Sequence, residues 1–205
     1  MYPKSIQNLI DLFSKFPGIG PKTAGRFVFY LLENNNSENE DLAKLISQLK
    51  SSLKSCKFCF RFFQGNNDFC EICSDKSRNK NMLCVVANQT DLTSIEKNKI
   101  YKGLYFILGG TVSNFKKESI EKLRINELIE RIKFPEKFDI SNASFQEIIL
   151  ALNPTVDGEA TTLYLERKLK SLNKKITRLG RGLPIGGELE YADRETLASA
   201  FKGRS

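Results

Sequence analysis

Cys56-Lys57-Phe58-Cys59 and, ten residues on, Cys70-Glu71-Ile72-Cys73 form a metal knuckle that divides the chain into an upstream and a downstream region. A CxxC turn sets two sulfurs on one side of a tight loop, and two such turns can close a tetrahedral thiolate cage around zinc. Four cysteines leave no open coordination position, so the spacing predicts a structural Zn2+ held by Cys56, Cys59, Cys70 and Cys73. A pair of disulfides or four ordinary buried thiols are the alternatives. The fifth cysteine, Cys84, sits in the apolar run Met82-Leu83-Cys84-Val85-Val86 and reads as buried.

The 205 residues carry 32 lysines and arginines against 24 acids, a formal net charge of +8, and the pI is near 9.2. That excess points to an anionic partner, most simply nucleic acid held through its phosphates, although a merely basic surface is the competing reading. Histidine is absent, which removes Ser-His and Cys-His nucleophilic pairs, Cys2His2 fingers and the usual neutral-pH base. The start, Met1-Tyr2-Pro3-Lys4, has no charged-then-apolar leader pattern, and no apolar run approaches the roughly 18 residues of a membrane span. The expected compartment is the cytoplasm, where thiols stay reduced and metal is favoured over disulfides.

Upstream of the cysteines, Ile6, Leu9, Ile10, Leu12, Phe13 and Phe16 recur at helical spacing, and Pro17 is expected to stop that helix. Two glycines, Gly18 and Gly20, then permit a sharp turn before Pro21, which suits the first position of a second helix reaching about Leu32. Its inward stripe should be Ala24, Phe27, Val28 and Leu31, while Lys22 and Arg26, four apart, share another face. This looks like a helix-hairpin-helix motif whose Gly18-Ile19-Gly20 turn offers backbone N–H groups to a phosphate, with Lys22 and Arg26 adding charge. The competing reading is a corner that only packs. Ser37 with Glu40 forms a possible capping box for a third helix with Leu42, Leu45, Ile46, Leu49 and Leu53 on one stripe. Phe60, Phe62, Phe63 and Phe69, interleaved with Arg61, could stack on bases but more simply cover the metal site.

Downstream, the polar stretch Asp75 to Asn81 reads as a boundary, and strands alternate with helices after it: Met82 to Val86, a helix from Asp91 to Lys97, Tyr105 to Leu108, a helix from Glu118 to Phe134, Glu147 to Leu152, a helix from Ala160 to Leu172, and Lys175 to Leu179. This order implies a mainly parallel sheet covered on both faces. The glycine-rich Gly180 to Glu188 fits no nucleotide-binding pattern, and Asp193 should cap a last helix through about Phe201. The expected layout is α+β and multi-domain, with boundaries at 1–54, 55–80, 81–175 and 176–205.

Five stretches in order, Phe16 to Arg26, the four cysteines, Leu83 to Val86, Asn153 to Thr161 and Gly182 to Glu190, resemble the RecR family of bacterial recombination mediators. The resemblance implies a helix-hairpin-helix lobe, a zinc element, a Toprim domain and a C-terminal Walker-B-like segment. It also implies a homotetrameric ring that clamps single- and double-stranded DNA and works with RecO, and in some pathways RecF, to load recombinase on single-stranded gaps. By the same resemblance Gly18, Gly20, Lys22 and Arg26 contact DNA, and the acidic stretch with Asp157 and Glu159 meets RecO. Toprim enzymes hold magnesium with a carboxylate after the first strand and an Asp-x-Asp after the third. Here those positions are Ala87, Asn153 and Thr155, whose side chains cannot replace anionic oxygens around a hard cation. No catalytic residues and no enzymatic activity are therefore expected; the alternative is a metal-dependent Toprim nuclease or primase.

Overall fold

The computed structural model describes residues 2–112, 117–140 and 143–204, which fall into two compact units, Met1–Leu53 and Lys54–Ser205.

The first unit is three helices, α1 (Lys4–Phe13), α2 (Pro21–Glu33) and α3 (Asn36–Gln48). Helix α1 ends before Pro17 is reached. Ser14 closes it by donating both its backbone N–H (2.9 Å) and its hydroxyl (2.7 Å) to the Ile10 carbonyl. Among its described residues only Ile10, Ala24 and Val28 are fully buried, with Ile6, Phe13 and Ile19 packed around them. Of the expected α2 stripe, Leu31 is half-buried and Phe27 is exposed. The capping box at Ser37 does not form: α3 begins two residues earlier, behind Asn35 as N-cap, with no side-chain cap. Asn39 is instead turned to α2, donating to the Leu31 carbonyl at 2.7 Å. The apolar stripe of α3 is present but uncovered, with no buried residue on the helix.

The second unit opens with β1 (Lys54–Ser55), antiparallel to β2 (Phe62–Phe63), and the short helix α4 (Glu71–Ser74). Then come β3 (Asn79–Val86), α5 (Gln89–Lys97), β4 (Gly103–Ile107), α6 (Lys117–Glu121), α7 (Ile125–Lys133), β5 (Glu147–Ala151), α8 (Val156–Leu169), β6 (Lys175–Arg178) and α9 (Arg194–Lys202). Strands β4-β3-β5-β6 form one sheet in that order, and every pairing is parallel. Parallel neighbours need crossover connections, which the intervening helices supply. All of β4 and the second half of β3 are buried, as expected of strands covered on both faces. Of the polar stretch Asp75 to Asn81 the last three residues already belong to β3, and the cysteine turns share one core with the sheet: Phe58 and Ile72 belong with Leu83, Phe106, Leu128 and Phe145.

Two expected helices differ. The segment read as one helix from Glu118 to Phe134 breaks at Arg124, whose N–H bonds the Leu108 carbonyl at 2.9 Å and whose guanidinium bonds that of Ile107 at 3.1 Å. The end of β4 thus takes the backbone N–H that would have continued the helix, and the guanidinium fastens the break. Helix α8 starts at Val156, four residues early, because the Thr155 hydroxyl accepts from Gly158 N–H at 3.2 Å and caps it.

Candidate metal centre and nucleic-acid interface

The four paired cysteines converge, with their sulfurs all within 4.8 Å of one another and Cys59 and Cys70 3.6 Å apart. Thiolates about 2.3 Å from a tetrahedral metal sit roughly 3.8 Å from each other, so the set fits a metal ion. The first turn is shaped by Cys56 N–H donating to Arg61 O (2.8 Å) and Phe60 N–H to Cys56 O (3.0 Å), with Phe60 at φ +64°. The second turn places Cys70 at the N-cap of α4 and Cys73 within it, and Cys70 N–H points at the Cys56 sulfur, 3.4 Å away. Hydrogen bonding among the four thiols holds Cys56 below the usual thiol range and pushes Cys59 and Cys73 above it; a metal ion bound there would displace the protons they share. Cys84 is separate and buried in β3, and burial pushes its thiol up to about 12.

Arg131 on α7 locks the first turn in place. Its guanidinium donates to the carbonyls of Lys57 (3.0 Å) and Phe58 (3.3 Å), and lies over the rings of Phe60 (4.7 Å) and Phe138 (4.0 Å). Arg124 covers Phe60 as well, at 4.7 Å, and Phe60 meets Phe106 edge-on at 5.5 Å. Phe58 and Phe63 are buried and Phe69 half-buried, so the aromatic run packs; Phe62 alone of it is exposed. Nothing in helical or strand periodicity singles out Arg131, since its partners lie more than 70 residues away in sequence.

In the hairpin lobe, Gly18 takes φ +77°, a conformation that favours glycine. Gly20 is the N-cap of α2 with no side-chain cap, and Pro21 occupies the first position. The first-turn amides thus face outward without a side-chain acceptor, the arrangement that receives anions. Lys22 and Arg26 are both exposed. They line one cleft of about 610 Å³ together with Tyr2, Gln7, Phe29 and Tyr30.

At the strand ends of the sheet, Ala87 is buried, and its carbonyl accepts from Gly109 (2.9 Å) and Gly110 (3.0 Å) N–H groups. Asn153 and Thr155 serve the cap of α8: Thr155 N–H bonds the Asn153 carbonyl at 2.8 Å, and that oxygen would lie against any Cβ at position 158. Asp157 is half-buried, and its carbonyl accepts from the Thr161 hydroxyl at 2.6 Å. Glu159 is held by two arginines, Arg178 at 3.3 Å and Arg181, while Arg178 also forks onto Glu166 with two bonds of 2.7 Å. Sequence reasoning missed both arginines; the only signal was their spacing of three at the end of the last strand. Asp193 caps α9 by accepting from Glu195 and Thr196 N–H, both at 2.9 Å.

Three family descriptions match the chain: "RecR, helix-hairpin-helix" over residues 6–50, "Toprim domain" over 81–180 and "RecR, C-terminal" over 182–205. The Recombination protein RecR of Desulfitobacterium hafniense (strain DSM 10664 / DCB-2) is 41% identical over 203 residues, spanning 99% of this chain and 96% of the relative. That of Staphylococcus aureus (strain Newman) is 42% identical over 204 residues, 100% of this chain and 98% of the relative. With the hairpin, the four-cysteine cluster and the parallel sheet in the matched order, the chain belongs to the RecR family of recombination proteins.

Proposed function

We infer that this chain is a DNA-binding recombination mediator without enzymatic activity, and that its hairpin lobe grips the phosphate backbone. The observation that carries this reading is the uncapped N-terminus of α2 flanked by exposed Lys22 and Arg26; Gly18 and Gly20 let the backbone come close. Such contacts ignore base identity, so single strands and duplexes both bind, with steep salt dependence. Enzymatic chemistry is disfavoured by the residues themselves. Ala87, Asn153 and Thr155 offer no carboxylate, and Glu159 is neutralised by Arg178 and Arg181.

The metal at the four cysteines is proposed to be zinc, in a structural role; elemental analysis of the purified protein identifies it. Self-association into a ring, with a tetramer as the closed form, is supported by apolar surface that the single chain leaves bare. Among its described residues the hairpin lobe buries three side chains fully, a small core for a unit of this length. It also leaves an apolar groove of about 360 Å³ between its helices, lined by Leu9, Phe13, Leu32, Leu42 and Ile46. Leu183, Ile185, Leu189, Tyr191 and Phe201 of the C-terminal segment are exposed too. RecO, with RecF in some pathways, is the proposed protein partner, meeting Asp157 and Glu159; engagement there exchanges the arginine pairs of Glu159 for contacts with the partner. The proposed compartment is the cytoplasm, and no helix among the described residues is long and apolar enough to cross a membrane.

The test replaces Lys22 and Arg26 together by Ala. DNA binding at moderate salt should fall by at least tenfold while the melting temperature stays within about 2 °C, since both side chains are exposed. Unchanged DNA binding would remove the hairpin from the interface.

A further inference from the structure

The positive charge does not lie where the hairpin reading would put it. Residues 1–53 hold six lysines and arginines against five acids, leaving 26 against 19 for the rest of the chain. The sheet topology gathers much of that remainder at one end. In a parallel sheet every strand starts at the same end, and each crossover helix must deliver its C-terminus there. Helix α5 feeds β4 through Lys97, Lys99 and Lys102, and α8 feeds β6 through Lys168, Lys170, Lys174 and Lys175. The two connectors are built alike, each turning from helix to strand through one left-handed residue, Lys99 (φ +53°) and Asn173 (φ +51°). Strands β4 and β6 are the two edges of the sheet.

Backbone bonds across the strand starts place both connectors in one row. Asn79 N–H bonds Lys102 O at 2.8 Å, Gln146 N–H bonds Asn81 O at 2.8 Å, and Lys175 N–H bonds Gln146 O at 3.0 Å. Three inter-strand steps put the connectors about 14 Å apart. All of these lysines are exposed except Lys174, which is half-buried.

The acids at the same end are already engaged. Glu96 is held by Arg78 (3.1 Å), and Asp75 lies 3.6 Å from Arg78. Glu147 accepts from the Thr177 hydroxyl (2.8 Å) and lies 3.5 Å from the Lys175 ammonium. The third connector, after α7, sets Lys133 and Lys137 against Glu136 and Asp139 and adds no net charge.

We propose that the strand-start end of the sheet is a second nucleic-acid surface, binding the phosphate backbone of duplex DNA independently of the hairpin. Its two lysine connectors are spaced close to the roughly 12 Å width of a B-DNA major groove, so each meets one phosphate wall. Among the described residues the surface carries no exposed aromatic row for stacking bases, which assigns it to duplex rather than to single strands. The inference rests on the reading that the protein binds DNA, and it adds a site which that reading does not use.

The experiment measures anisotropy of a short fluorescent duplex over a KCl series for the full-length protein. One variant carries Lys99→Gln, Lys102→Gln, Lys170→Gln and Lys174→Gln, and a second carries Lys22→Ala and Arg26→Ala. Each phosphate contact contributes about 0.9 to the log–log salt slope; two lost contacts lower it by about 1.8 and cut affinity roughly 60-fold at 0.1 M salt. That loss in the four-lysine variant, with circular dichroism unchanged, supports the proposal whether or not the hairpin variant also weakens. A normal slope in the four-lysine variant overturns it; if the hairpin variant alone weakens, the hairpin reading survives. Loss of binding to a fluorescent oligo-glutamate peptide with duplex affinity intact also overturns it, and assigns the lysines to an acidic protein segment.

Discussion

Replacing Arg131 by Met should loosen the metal knuckle from the sheet domain without touching a cysteine. The residue is 6% exposed and its side chain supplies the donors seen by the Lys57 and Phe58 carbonyls. Leaving two such acceptors without partners costs about 1–3 kcal/mol each, and the lost stacking over Phe60 and Phe138 adds about 0.5–2 kcal/mol. Against this, burial disfavours the charged guanidinium, as the lowering of its pKa indicates, and Met removes that desolvation penalty while filling much of the volume. The net loss is about 3 kcal/mol, or roughly 6–12 °C in melting temperature for a unit of this size. If the loss falls on docking of the first cysteine turn, local opening becomes up to about 150-fold more frequent. Metal transfer to a chromophoric chelator reads this directly, beside a thermal melt of the metal-loaded protein. Arg131→Lys keeps the charge but cannot fork onto two carbonyls, so it should fall between the two. A melting temperature within about 2 °C of the parent and an unchanged rate of metal transfer for Arg131→Met would refute the assignment.

Gly158→Ala forces a Cβ against the Asn153 carbonyl, so the start of α8 must shift, with a loss of more than about 2 kcal/mol in a denaturant titration. By contrast, Gly20→Ala meets nothing within 4 Å; it should leave stability nearly unchanged and weaken DNA binding if the backbone there approaches a phosphate. Hydrogen bonding from Arg178 holds Glu166 below its ordinary pKa. Its stabilising contribution is therefore complete above the ordinary carboxylate range near pH 4.3 and disappears as pH falls through the lowered folded value. The stability difference between the parent and Glu166→Gln should be roughly constant from about pH 7 to 5 and shrink toward zero in more acidic buffer, as measured by urea titrations across that range.

The parts of the fold that could be read from sequence are those set by short-range rules. CxxC spacing, the Pro-Gly-Ile-Gly-Pro turn and the apolar runs of β3, β4 and β5 each encode their structure within a few residues. What escaped depends on partners distant in sequence. Arg124 interrupts a continuous apolar period because the end of β4 captures its donors, and no local pattern announces that. The stripe on α3 is periodic, yet periodicity says that a face is apolar and not whether this chain covers it. For the same reason Glu159 stands out in the sequence as an acid whereas its neutralisation by Arg178 and Arg181 does not. The net charge is plain from composition, but its placement at the strand starts requires the crossover topology.

The order of these parts along the chain also bears on how the protein is made. The last cysteine of the knuckle, Cys73, precedes by about 60 to 70 residues the side chains that cover it, since Arg131 and the ring of Phe145, stacked on Phe58 at 6.0 Å, come much later in synthesis. At a ribosomal rate of about 5–20 residues per second, the thiols stand uncovered for roughly 3–14 s after they emerge. Metal capture in that interval protects the sulfurs from oxidation and presents the later strands with a preformed surface to fold onto. A nascent chain that misses its ion would meet the incoming sheet with four loose thiols, so withholding metal during translation should lower the yield of native protein.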